Sequence, residues 1–426
     1  MCFCVLSLLV PNLGAQEEHT FDLSEIKKKE LQFGGFLEFR PLVFSLDREA
    51  QFYKLRFYEA AEEKTVSEYN FRALLNLDYQ KGIFGTTIRL NSEISNSFFG
   101  WAQKTALFEA FLSVKPSISF QADFGKRRMK WGKGYAWNPV AFIDRPKNPN
   151  DPELALEGYV VLSLDYIKSF QGELKTFTFT PVLIPVSDTI NSTFGDRKGL
   201  NVGGKFYFLF YDTDIDFLFL TGRSLPARYG MDFSRNISSN FEIHGEFAFV
   251  PAFSKMGFDS NGQIMEKKVS STSVLLGSRY LTPTNITFIF EYLKNGSGYT
   301  SSEMDFFYSL IDSAYQLYVL NGDKSQLDIL SGPATQSYRT FAPMKDYLYL
   351  RISQKEPWNI PYFFPAITSI MNLKDKSFSL AAELFYKPIT NLEFRAKATA
   401  LLGQRGSEFG EKQSDVRFEF RGRYYF

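Results

Sequence analysis

From about residue 32 to its last residue the chain alternates apolar and polar side chains. At the C-terminal end Phe418, Phe420, Gly422, Tyr424 and Phe426 fall on one side of a period of two, and Arg417, Glu419, Arg421 and Arg423 on the other. Just before, Leu392, Phe394, Ala396, Ala398 and Ala400 oppose Glu393, Arg395, Lys397 and Thr399. The same alternation sets Phe241, Ile243, Phe247 and Phe249 against Glu242, His244 and Glu246, and Phe71, Ala73, Leu75 and Leu77 against Arg72, Asn76 and Asp78. Alternation sustained over roughly eight residues describes a strand with one apolar and one polar face. The clear runs last roughly 10–13 residues, enough to cross a bilayer when tilted.

The runs come as tandem hairpins. Short turns at Lys115-Pro116-Ser117, Tyr211-Asp212-Thr213 and Lys387-Pro388-Ile389-Thr390 alternate with longer polar stretches at 128–156, 184–198, 251–268, 295–344 and 403–412. This organisation predicts an all-β fold: a single closed transmembrane antiparallel barrel of about 18 strands, within about two, over residues 32–426. The raw count is odd, whereas single-chain bacterial barrels have even numbers of strands. The stretch between Gln32 and Glu62, interrupted by Pro41, is therefore singled out as holding a segment that is not a strand. The turn order places the C-terminus on the periplasmic side and the long loops outside. One helix is predicted inside the longest loop, where Phe307, Leu310, Ile311, Ala314, Tyr315 and Tyr318 follow helical spacing. Such a helix either packs on the barrel rim or folds inward as a constriction.

Composition sharpens this picture. Aromatic residues make up 17% of the chain, with 46 Phe and 23 Tyr, yet 22% of residues are charged and the mean hydropathy is −0.19. A protein wet inside and greasy outside mixes the two in this way. Residues 1–15, MCFCVLSLLVPNLGA, combine a short apolar run with the small pair Gly14-Ala15 and read as a signal peptide, followed by a periplasmic tail over 16–31. Cys2 and Cys4 both lie in that segment, so its removal leaves no disulfide, Cys-ligated zinc or Cys-linked haem. The net charge of +1 gives no reason to expect a nucleic-acid partner.

The final strand ends on Phe426 with Tyr424 at the alternating position before it, and resembles the C-terminal signal read by the outer-membrane assembly machinery. The segment FGKRRMKWGKGYAWNPVAFIDRPKNPNDPELALEGY (124–159) resembles the strand end and Pro/Asp-rich loop of porin-like outer-membrane barrels of Gram-negative bacteria, a group that includes alginate-export-like channels. The matching positions are Gly125, Lys126, Trp131, Gly132, Asn138, Pro139, Asp144, Pro146, Asp151 and Pro152. The resemblance implies a barrel in the bacterial outer membrane, surrounded by lipid, and leaves the solute open.

Candidate chemistry is sparse. His19 and His244 are the only histidines, and there is no C-x-x-C-H, H-E-x-x-H, P-loop or G-x-S-x-G motif. No enzyme activity and no cofactor are expected. The charged strand faces carry the one positive signal. Arg395, Lys397, Arg417, Arg421 and Arg423 fall on neighbouring strands with one facing, Arg89 and Arg351 extend the set, and Lys126 and Arg127 begin a second basic cluster. Such a wall either favours anions in a confined pore or pairs with Glu383, Glu393, Glu419 and Asp123 across strands. Trp131, Tyr135 and Trp137 either offer a stacking surface to a ring-bearing solute or pack the loop on itself. The expected function is passive passage of a small solute through a porin-like channel, an anionic one where the basic wall acts on it. The alternative is a sheath or export partner enclosing a periplasmic protein, such as a cytochrome, or a polymer. Self-association into oligomers stays open.

Overall fold

The computed structural model describes residues 30–59 and 63–426. The signal segment, nearly all of the 16–31 tail and His19 lie outside the described residues. Eighteen strands follow in order: β1 (Leu31–Ser45), β2 (Thr65–Lys81), β3 (Phe84–Ser97), β4 (Gly100–Ser117), β5 (Phe120–Arg127), β6 (Tyr159–Ser169), β7 (Leu174–Val186), β8 (Gly199–Phe210), β9 (Thr213–Gly222), β10 (Arg228–Ser238), β11 (Phe241–Phe258), β12 (Ile264–Leu281), β13 (Ile286–Lys294), β14 (Asp346–Gln354), β15 (Phe363–Asn372), β16 (Phe378–Ile389), β17 (Leu392–Leu402) and β18 (Val416–Tyr425). Each pairs antiparallel with the next, and β1 pairs with β18, so the sheet closes on itself. Closure removes the unpaired edges that an open sheet would expose.

At the seam Phe36 stands opposite Tyr425, and Gly35 and Phe426 exchange backbone hydrogen bonds of 3.1 and 3.2 Å. A side chain at position 35 would bring its Cβ within 2.2 Å of the Leu74 carbonyl, so the seam requires glycine there. The Phe33 and Phe426 rings lie 5.9 Å apart on the outer surface.

The barrel is inside-out relative to a soluble protein. Phe71, Phe124, Phe217, Phe247, Leu276, Phe290, Leu384 and Phe418 are exposed on outward positions. Glu38, Arg72, Asp123, Asp216, Asp232, Glu246, Glu291, Glu383 and Arg421 are buried on inward ones. Soluble monomers rarely expose apolar patches of more than a few hundred Å², so this continuous outer surface is built for lipid and the polar interior for water. No described helix is long and apolar enough to cross a membrane.

The two rims differ. At one, the links between strands are short: Tyr211 and Asp212 both take positive φ, 47° and 53°, in a two-residue turn whose twist suits a hairpin. The predicted turns near Pro116 and Pro388 lie at this same rim. The other rim carries the long connections. Residues 251–268, read from sequence as a loop, instead extend the β11–β12 hairpin, with only 259–263 between the strands. Pro251 breaks the alternation, but a register shift between Val250 and Phe253 absorbs it as a bulge and the ladder resumes from Phe253 opposite Val269.

The singled-out stretch near Pro41 holds one strand, because β1 runs through the proline, followed by the short helix α1 (Gln51–Arg56). The 295–345 connection holds α2 (Ser301–Asn321) and α3 (Ser325–Ser331). A capping box starts α2: Thr300 and Glu303 each satisfy the other's backbone N–H. Its buried face, Met304, Phe307, Tyr308, Ile311 and Ala314, packs on Phe258, Tyr338 and, from α1, Phe52 and Leu55. The helices thus form a cap at the long-loop rim, joining the β11–β15 side of the mouth to the β1–β2 connection.

Candidate functional site: a lumen loop facing an arginine seam

The segment that enters the bore is 128–158, between β5 and β6, which the sequence reading placed outside. Gly125 turns the end of β5 with φ of +130°, at a point where a Cβ would meet the Ala110 carbonyl at 2.3 Å. A loop inside a barrel takes its backbone N–H groups away from bulk water, and each needs an acceptor. Four carboxylates supply them: Glu109 on β4 accepts from Arg128 N at 3.1 Å, and three others hold the residues that follow. Asp144, within the loop, accepts from Met129 N at 3.0 Å and Trp131 N at 2.9 Å. Glu246 on β11 accepts from Lys133 N and Gly134 N, both at 2.7 Å, from Asn138 Nδ2 at 3.0 Å and from Val140 N at 3.1 Å. Glu291 on β13 accepts from Tyr135 N, from Ala136 N at 2.9 Å and bonds His244 Nε2 at 2.9 Å. Gly134 is fixed by close approach, since a Cβ there would lie 2.1 Å from the Trp137 carbonyl.

Charge and packing reinforce these anchors. Lys133 Nζ sits 3.0 Å from Asp216 on β9 and 4.0 Å from Asp232 on β10. Burial works against its ammonium, but the two aspartates outweigh burial and push its pKa above the ordinary value. Trp131, Val140, Phe142 and Ile143 pack on Val161, Val182, Ile184, Leu218 and Leu220 of the wall. Trp137 packs on Tyr347 and Tyr349, with ring centroids 6.1 and 5.9 Å away, and Tyr135 lies 5.9 Å from Tyr349. Trp131 and Trp137 are buried, and Tyr135 is mostly so, with burial raising its hydroxyl pKa to about 12. These aromatics hold the loop to the wall.

The loop then crosses to the far wall. Asp151 meets Arg421 of β18 at 2.7 Å and Arg395 of β17 at 3.3 Å, and Lys397 Nζ donates to the Asn150 carbonyl at 2.5 Å. Burial disfavours the Asp151 carboxylate, but Arg421 and Arg395 outweigh it and hold its pKa below the ordinary carboxylate value. The loop therefore touches the barrel near β4–β7, β9–β14 and β17–β18, and divides the bore.

Inward positions of β14–β18 and β1–β4 form a charged wall, and the loop tip meets its seam at β17–β18. Arg351 bonds Glu383 at 3.0 Å, Arg423 bonds Glu38 at 2.6 Å and Arg89 bonds Glu109 at 2.5 Å. Arg395, Lys397, Arg417, Arg421 and Arg40 line one polar cavity of about 220 Å³ together with Glu68, Asp151 and Glu419. Among the described residues Arg417 makes no ion pair, and the buried Nε atoms of Arg40, Arg395 and Arg421 have no hydrogen-bond acceptor. The opposite wall is acidic, with Asp214, Asp216, Asp232, Glu242, Glu246 and Glu291. At the short-turn rim a cavity of about 750 Å³ is lined by Gln32, Gln80, Thr86, Thr87, Ser113 and Gln121, among others.

The remaining sequence-predicted residues are dispersed. Arg127 faces inward and pairs with Asp123 on its own strand. Lys126 lies on the other face of β5 and pairs at 2.5 Å with Glu157, at the base of the loop. Tyr424 and Phe426 are exposed on the outer surface beside the closing seam. Glu246, Glu291 and Asp151 were not among the site residues read from sequence. Their signal was faint: two glutamates at inward positions of apolar strands, and an aspartate set between Pro149-Asn150 and Pro152.

No protein-family profile and no curated protein matches the chain. Solved structures do. Over 93% of this chain and 97% of the other, the barrel is similar to Acinetobacter baumannii OccAB1, with a TM-score of 0.55 at 8% identity. Pseudomonas aeruginosa OccK2 (OpdF), solved in complex with glucuronate, gives 0.52 at 10% identity, covering 93% and 98%. Pseudomonas aeruginosa OccK11 (OpdR) gives 0.51 at 11% identity, covering 92% and 96%. The fold is that of an outer-membrane porin barrel.

Proposed function

We propose that this chain is an outer-membrane channel that passes small solutes and prefers anions. One observation carries the reading: the loop that divides the bore faces a wall of Arg40, Arg395, Lys397, Arg417 and Arg421 around a polar cavity of about 220 Å³. Cations gathered on one side of a narrow polar passage, across from an acidic wall, set up a field that draws and orients charged solutes. The loop would be the size filter and the seam the charge filter. OccK2, a fold neighbour, was solved with glucuronate, a carboxylate sugar, which makes a small organic acid a reasonable first solute to try. In this reading the 295–345 cap and the long connections face outward and the short turns face the periplasm. The further likeness to alginate-export-like channels rests on the 124–159 segment alone. A sheath around a periplasmic protein needs an unobstructed bore, and here the chain's own loop takes that space.

Swelling of liposomes containing the purified barrel tests the proposal. Glucose, glucuronate and glucosamine are neutral, anionic and cationic six-carbon sugars of similar size. Glucuronate should enter fastest and glucosamine slowest. Equal rates for the three, or no swelling with correctly folded protein, would overturn it.

A further inference from the structure

The arginine seat of the seam is already filled, and by the protein itself. The Asp151 carboxylate lies between Arg421 and Arg395 as a bound organic acid would, with Lys397 beside it holding the Asn150 carbonyl. These are the hydrogen bonds and ion pairs that tie the tip, residues 148–154, to the far wall among the described residues. The buried apolar clusters that hold the loop draw on 129–143 and include no residue of the tip. The tip's other polar partners are local, such as Leu154 N to the Asp151 carbonyl at 3.1 Å and the Glu153 carboxylate near the Tyr135 hydroxyl at 3.5 Å. Pro149 and Pro152 restrict the backbone on either side of Asp151, which makes the tip a short stiff segment.

The two ends of the loop are thus held differently. Glu246 and Glu291 bind backbone N–H groups in dry surroundings, where no solute can replace them. Asp151 binds side-chain guanidinium groups that line a cavity of about 220 Å³. Exchanging one carboxylate for another on an arginine pair conserves the charge-assisted bonds. The balance is then set by the concentration of the incoming acid against the effective concentration of the tethered one.

We infer that Asp151 is a built-in competitor: it occupies the anion seat of Arg395 and Arg421, and a carboxylate solute that takes its place frees the loop tip and widens the passage. This inference rests on the channel reading above and adds a solute-dependent conformational step to it.

Single-channel recording of the full barrel in planar bilayers tests it, with succinate as the probe and uncharged succinamide as the control. The native channel should occupy a smaller conductance level, and succinate but not succinamide should raise the time spent in a larger one. Asp151→Asn should sit in the larger level without succinate and bind succinate about ten-fold more tightly, because the intramolecular competitor is gone. Asp151→Glu keeps the carboxylate and should restore the smaller level. Heat-modifiable mobility on gels confirms that each variant is folded. An anion-preferring channel whose Asp151→Asn form has the native level and the native succinate response would sink this inference and leave the channel reading standing. A native barrel that passes no ions, or has no anion preference, would overturn both.

Discussion

A carboxylate facing a bore with no arginine opposite must find its donors elsewhere, and Glu246 finds three backbone N–H groups and the Asn138 amide. Glu246→Ala should leave those donors unsatisfied and cost the loop anchor about 2–4 kcal/mol. The expected readout is faster amide hydrogen exchange over 133–140 and a noisier open channel; unchanged exchange there would show that Glu246 is not the anchor. Asp151 carries a pH expectation. Its carboxyl is held below the ordinary aspartate value of 3.8, so its tie contributes fully above that value and is lost only as pH falls through the lower, folded one. The small conductance level should therefore persist from pH 7 down to about 4; its loss near pH 6 would point to a different group. Sequence alone made the inward facing of the arginines legible, because alternation fixes facing. It could not show which of them met Asp151. That pairing joins residues 270 positions apart and depends on where an irregular loop lands.

At the scale of elements, the strands were legible because each repeats one simple rule. The helix α2 was legible for the same reason, through its Phe307, Ile311 and Ala314 spacing. Two elements were misplaced. The β11–β12 extension was hidden by Pro251, since a bulge preserves a ladder that alternation no longer reports. The loop read as 128–156 was put outside because its polarity suits water and a wet bore equally well. The cap depends on packing between segments distant in sequence. Phe52 of α1 meets Phe307 at 6.4 Å and Tyr308 at 6.0 Å, while Lys54 pairs with Asp312. Phe52→Ala should destabilise the cap by about 3 kcal/mol. Limited proteolysis should then nick the chain within 295–345 while the barrel keeps its folded mobility. A cap that stays resistant would contradict the role given to this contact.

For the whole molecule, the outer surface and the bore answer to different solvents, and the one chain meets both by alternating. That inversion made the barrel legible in the sequence: outward Phe and Leu, inward Glu and Arg, strand after strand. The passage itself was not legible, because it is the space left between a loop and a wall. Its most direct test is the reversal potential of single channels in a salt gradient, native against Arg417→Gln. Arg417 is chosen because it lines the 220 Å³ cavity without an ion pair among the described residues, so neutralising it changes the charge and leaves the Asp151 tie intact. The expected result is discrete steps with an anion-selective reversal potential that shifts toward zero in the variant. A cation-selective channel, or a reversal potential that Arg417→Gln does not move, would contradict the placing of the passage along the arginine seam.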